Sequence, residues 1–440
     1  MIRSWPLLTA LGFAVVICGC ASHKPPRIAP PPPIKNGSLT ITSGIDLQGS
    51  VDLPAGFEAD VGRAPMWLHY GTEIGVAGNA DGKAIVLGFS GPDWRMQHVI
   101  AEDFGVGAPH GRLLDIAASP DGLTVATAVA EPAEKRIEVV LREAVSEGPG
   151  RPLESFDGAF SAAQLQWLNG SALMLVLRSN SIVEAKDPGE LSVSHMMTTA
   201  GERETKAFAP LGCGFPPLSF SPDGQWAVAN DLGDAPAVLI DLKDGTCHPM
   251  RVRKLVRVLA WAPDSSLFLF AAEGQGMVPG VFSYDFTSGG IAVVAISSSA
   301  AAFANDGTVI ALGNDTLSWQ RAASAPNKNV VAQIALTPAG QGTTTINSLG
   351  FETRPNMLAR SSMAFSEQSG DGMIDIEIPA APVPLRELIE YSYPTREAFV
   401  LASGQAGPAI PLNWSPDGKL LALVDTGVQP NRLTVLAPPR

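Results

Sequence analysis

The sequence predicts an all-β chain, a propeller-like array of four-stranded antiparallel sheets. Three observations predict it. One turn sequence recurs between apolar runs, its copies are spaced by about 42 residues, and the unit between them reads as three or four strands without a helix. A lone four-stranded sheet cannot bury its faces, whereas a ring of such sheets buries each face against a neighbour and removes free edges. Seven blades fit the sequence best, with six and eight as the alternatives.

The turn is Ser-Pro-Asp-Gly, present at 119–122, 221–224 and 415–418. Pro222 sets φ near −65° for the first central position of a type I turn, and Gly224 closes it in the left-handed conformation. The Asp223 side chain accepts hydrogen bonds from nearby backbone N–H groups. Asp121 with Gly122 and Asp417 with Gly418 are given the same structural role. Leu218-Ser219-Phe220 before the turn and the alternating Trp226 and Val228 after it complete a hairpin. Looser relatives are NADGKAIVLGF at 79–89, WAPDSSLFLFAAE at 261–273 and FANDGTVIALG at 303–313.

Aligned on the turn aspartate, the copies fall at 81, 121, 223, 264, 306 and 417, with three intervals of 40, 41 and 42 residues. The two longer intervals have room for two units each. LQWLNGSALMLVLRSN at 165–180 and SSMAFSEQSGDGMIDIEI at 361–378 are the candidates within them, making eight turn-bearing segments. VLIDLKDGT at 238–246, VFSYDFTSGG at 281–290 and RIEVVLREAVSEG at 136–148 supply back halves, each a strand followed by a polar Gly-containing turn. The alternating segment 37–53 is a candidate partner for RLTVLA at 432–437, an arrangement that closes a ring with strands from both ends. A hairpin packed on the outside is the other reading.

Phe220 to Asn230 with Val238 to Gly245, and Trp414 to Val424, resemble the WD40-like Pro-Asp repeat of TolB-type β-propellers. The resemblance covers patches of residues 60–440. It implies a propeller fold and a role in periplasmic binding or assembly, while the same repeat also caps peptidases. Fold does not imply function.

The N-terminus carries a separate signal. MIRSW is followed by PLLTALGFAVVICG, an apolar run of signal-peptide length. It ends in Ile17-Cys18-Gly19-Cys20-Ala21, which resembles a bacterial lipobox with Cys20 as the lipidated residue. Residues 1–19 are then a signal peptide, and 421 residues remain on an acyl anchor. By the bacterial sorting rule Ala21 favours the outer membrane, facing the periplasm, or the cell membrane where no outer membrane exists. Residues 20–36 hold six prolines and read as an extended spacer on the order of 50 Å, and 37–440 as the propeller. The net charge of −13, with 17% charged residues and no basic patch, argues against nucleic-acid binding.

With Cys18 removed and Cys20 acylated, Cys213 and Cys247 remain, bracketing one unit. In an oxidising compartment such a pair points to a disulfide, whose loop of 35 residues gives about 3–4 kcal/mol by loop entropy. A metal pair with His248 is the competing reading, and it lacks further ligands. No HExxH, Gly-x-Ser-x-Gly or P-loop occurs, so no catalytic, cofactor or metal residues are assigned. Irregular segments at 147–160, 183–212, 272–280 and 324–362 are the candidate binding loops, with Phe156, Phe160, Phe208 and Phe351 as anchors or as side chains folded back onto their blades. The expected role is a membrane-anchored scaffold for a periplasmic or outer-membrane protein. A polysaccharide lyase or hydrolase, or a small-ligand sensor using the central funnel, are the alternatives.

Overall fold

A computed structural model describes residues 32–438 apart from 62, 103–110, 132–134, 144–149, 158–159, 169–171, 180–191, 199–202, 207–217, 230–235, 245, 254, 275–276, 287, 297–299, 304–307, 313–315, 322–329, 336–358, 366–371, 379–384, 393–396 and 406–409. The described strands form eight antiparallel sheets, one more than the seven that fit the sequence best. In the second to sixth sheets, at 112–157, 160–206, 218–253, 255–296 and 300–335, four consecutive strands pair in chain order. The two least regular candidates each supply the first hairpin of a sheet. Phe160–Trp167 pairs with Ala172–Ser179, and Ala359–Phe365 pairs with Gly372–Ile378.

Hydrophobic clusters join consecutive sheets because alternate residues of each central strand face opposite neighbours. Within Thr124–Glu131, Val125 packs towards the first sheet and Ala126 and Ala128 towards the third. Within Leu267–Gly274, Phe268 and Phe270 pack towards the fourth sheet and Leu269 towards the sixth. Such bridging clusters run from the seventh sheet through the eighth and first to the sixth. Phe89, Phe220, Phe268 and Phe270 are all fully buried in this way, each worth about 1.5–3 kcal/mol of transfer energy.

The segment after the proline-rich stretch is bound to two sheets. Leu39–Ile41 pairs with Ala402–Gly404 on the seventh, and Ile34–Asn36 pairs with Leu39–Ile41 to form its edge. Asp46–Asp52 then pairs with Arg432–Ala437, so the eighth sheet takes strands from both ends of the described chain. Buried Asp425 fastens this segment by accepting from the Ser38 N–H at 2.7 Å, the Ser38 hydroxyl at 2.8 Å and the Gly427 N–H at 2.9 Å. Gly37 sits beside it at φ +66°, where a Cβ would lie 2.5 Å from an Asp425 carboxylate oxygen. Asn36 donates to Thr434 Oγ1 at 2.8 Å and accepts from the Ser50 hydroxyl at 2.7 Å.

The first sheet departs from the repeat. Its inner strand is in two pieces, Phe57–Ala59 and Met66–Leu68, both paired with Glu73–Ala80. The Asp81-Gly82 turn joins the sheet's next two strands, Glu73–Ala80 and Lys83–Ser90, so it lies at the opposite end from the Ser-Pro-Asp-Gly turns. The sequence alignment that put Asp81 in register with Asp121 is therefore corrected. Its place in the row is taken by the 3-10 turn His69–Gly71, which lies between the turns of the eighth and second sheets. His69 N–H donates to Gly122 O at 2.7 Å, and a Cβ on Gly71 would sit 3.6 Å from Pro416.

Candidate functional site

The row of turns is built from one hydrogen-bond plan. Asp121 Oδ1 accepts from the Ser119 hydroxyl at 2.6 Å and the Leu123 N–H at 3.0 Å. Asp223 Oδ1 does the same with Ser221 at 2.6 Å and Gln225 at 3.0 Å, and Asp417 Oδ1 with Ser415 at 2.7 Å and Lys419 at 3.1 Å. Gly122, Gly224 and Gly418 take φ of +69°, +67° and +66°, and each donates its N–H back to the turn serine's carbonyl. In the fifth sheet Ser265 takes the glycine's place at φ +60°, and its hydroxyl accepts the Asp223 N–H at 3.1 Å. The Asp121 carboxyl is held below its ordinary pKa by the Ser119 hydroxyl and then the Leu123 N–H. Asp264 is lowered in the same way by the hydroxyl and N–H of Ser266.

Below the turns, polar side chains of the inner strands reach to neighbouring sheets. Trp67 Nε1 donates to Asn413 O at 3.0 Å, Trp167 Nε1 to Ala117 O at 3.0 Å and Trp261 Nε1 to Ser219 Oγ at 2.8 Å. Trp261 stands one residue before its turn and Trp67 two residues before the 3-10 turn, and each of the three acceptors stands two residues before the turn of the preceding sheet. Running the other way, Asp115 Oδ2 accepts the Leu165 N–H at 2.8 Å, and Gln164 both accepts from Leu218 N–H and donates to its carbonyl. Inner-strand polarity therefore works as inter-sheet adhesive.

The 3-10 turn is where the plan breaks. His69, Tyr70 and Gly71 all have positive φ, at 47°, 55° and 86°, although two of them carry side chains. Thr72 holds the segment, its N–H and hydroxyl both donating to His69 O at 3.2 and 2.8 Å. Tyr70 is presented outward with 69% of its surface exposed, beside the His69 ring at 6.1 Å between centroids.

At the opposite end, a cavity of about 130 Å³ opens between the first and second sheets. Asp60, Arg63 and Asp115 contribute its charges. Arg63 Nη2 lies 3.0 Å from Asp115 Oδ1, and Arg63 Nε lies 3.5 Å from Asp60 Oδ2. An ionisable pair is buried within the first sheet, where His98 Nε2 lies 3.3 Å from Glu73 Oε1 over Gly88. Burial raises the Glu73 carboxyl above its ordinary pKa, against the opposing pull of His98.

Several sequence-assigned residues lie elsewhere. Cys20, Cys213, Asp306, Phe208 and Phe351 are outside the described residues. Cys247 opens the strand Cys247–Arg253 and packs against the cluster joining the third and fourth sheets. Two proposed insertions are strands: Arg151–Asp157 is the outermost strand of the second sheet, with Phe156 buried in its core, and Gly274 pairs with Met277 in a hairpin. Among the described residues, no group of three or more His, Cys, Asp or Glu is arranged to hold a metal ion, and no helix is long and apolar enough to cross a membrane.

No protein-family model and no curated protein sequence matches the chain. Solved structures do. A prolyl endopeptidase aligns at TM-score 0.50 and 14% identity over 84% of this chain and 54% of its own, so the chain spans about half that protein's length. The fold is a β-propeller. The bridged succession of sheets carries that conclusion. Also similar are the β-propeller domain of Cps50 (Swd1) from Myceliophteria thermophila, at 12% identity and TM-score 0.43 over 89% of this chain and all of that one, and TolB from Acinetobacter baumannii, at 12% and 0.35 over 81% and 76%.

Proposed function

We propose that the chain is a TolB-type, eight-bladed propeller, anchored to the outer membrane through acylated Cys20, that holds a protein partner of the cell envelope on its turn face. Its role is assembly or binding, and Tyr70 is the contact anchor. One observation carries the reading. The described Ser-Pro-Asp-Gly turns fold their polar groups back on themselves, whereas the first sheet maintains two consecutive non-glycine residues at positive φ and thereby exposes a tyrosine. Backbone strain held at an exposed position is a mark of function, and tyrosine is among the residues that dominate binding energy at protein interfaces. The lipobox resemblance and the proline-rich spacer support the anchor. The inner-strand side chains, engaged with neighbouring backbone, favour a scaffold over chemistry in the funnel.

The test is affinity capture from crosslinked membranes with wild type and Tyr70→Ala. The variant should melt with the wild type and lose the captured partner. Undiminished capture by Tyr70→Ala would contradict the assignment.

A further inference from the structure

The cavity between the first and second sheets has a chemistry of its own. Its wall at Asp115 is rigid. One carboxylate oxygen holds Arg63, the other accepts the Leu165 N–H of the third sheet, and the side chain is only 16% exposed. Arg63 is thereby held on one side. Of the five N–H donors of a guanidinium, these ion pairs engage two. The contact to Asp60 is the loose one, 3.5 Å between side chains that are 39% and 42% exposed. Ile85 and Leu113 add apolar surface, and Asn79 adds a further polar side chain.

Charge and size narrow the ligand. Two carboxylates around one guanidinium disfavour a simple anion, and a simple cation at Asp60 leaves Arg63 without the partner it gives up. A molecule with adjacent opposite charges satisfies both by parting the loose pair and replacing it with two charge-assisted hydrogen bonds. A volume of about 130 Å³ is well below the roughly 300–1,000 Å³ of pockets for larger ligands, leaving room for only a few heavy atoms. We propose that this cavity binds a small zwitterion of the α-amino acid class. Its carboxylate lies on Arg63, its ammonium on Asp60, and a short aliphatic side chain against Ile85 and Leu113.

The site lies at the opposite end from Tyr70 and needs no protein partner, so it stands or falls independently of the docking role. The test is isothermal titration of the purified full chain in detergent with L-alanine, propionate, ethylamine and L-tryptophan. L-Alanine should bind with one-to-one stoichiometry, and the other three should not. Asp60→Asn, an isosteric change at a half-buried position, should keep the melting temperature and weaken L-alanine by about tenfold or more. Arg63→Gln should also remove binding. Absence of L-alanine binding, equal binding of propionate or ethylamine, binding of L-tryptophan, or full affinity in Asp60→Asn would each overturn the proposal.

Discussion

Gly122→Ala is predicted to destabilise the protein far more than Gly82→Ala, though both glycines close a turn at positive φ. At Gly82, φ is +78° and a Cβ would meet nothing within 4 Å, so the cost is conformational alone, about 1–2 kcal/mol. At Gly122, φ is +69° and the added Cβ would lie 2.9 Å from Trp67 O, 3.0 Å from Leu68 Cα and 3.1 Å from His69 N. All three are backbone atoms, so no side chain can swing aside. The first and second sheets must separate by several tenths of an ångström, an overpacking cost of about 1–3 kcal/mol. The His69 N–H to Gly122 O bond at 2.7 Å is disturbed with it, about 1 kcal/mol more. Gly122→Ala should therefore exceed Gly82→Ala by about 2–4 kcal/mol, read from urea unfolding midpoints at a common slope. Equal losses would refute the reasoning that the turns are packed directly against the neighbouring sheet.

Asp425→Ala removes the acceptor for Ser38 and Gly427, and limited proteolysis should then cut within residues 32–44 well before the rest, with a stability loss of about 2–4 kcal/mol. Unchanged proteolysis would show that strand pairing alone holds the segment. Because burial raises the Glu73 carboxyl above its ordinary 4.5, its contribution is full below that value and lost as pH rises through the folded-state value. Glu73→Gln should gain on wild type in melting temperature as pH rises, and a constant gap would contradict this. For Asp121 the sign is opposite. Its lowered carboxyl contributes above the ordinary 3.8 and stops contributing as pH falls through the folded value, so Asp121→Asn should flatten the acid limb of the stability curve.

The fold was legible where local chemistry and position coincide. Ser119-Pro120-Asp121-Gly122 and its two copies marked hairpins because proline, the aspartate acceptor and a left-handed glycine are all needed there. The same chemistry misled at Asp81-Gly82, since an Asp-Gly turn suits any hairpin and does not say which pair of strands it joins. Nothing in His69-Tyr70-Gly71 announces three positive φ values. They arise from the geometry of neighbouring turns, which the sequence does not contain. Arg63 and Asp115 meet across two sheets, and Glu73 meets His98 over Gly88, so neither pair has a spacing to read. The indole N–H bonds of Trp67, Trp167 and Trp261 to the preceding sheet follow only once the sheets are in register.

The proposed acylation of Cys20 underlies the proposed role, since it would bring the propeller to a membrane. The direct measurement is metabolic labelling of cells with a palmitate analogue, comparing wild type with Cys20→Ser. The wild type should carry the label, and the variant should lose it and accumulate as the unprocessed precursor. Label that survives Cys20→Ser would contradict the account.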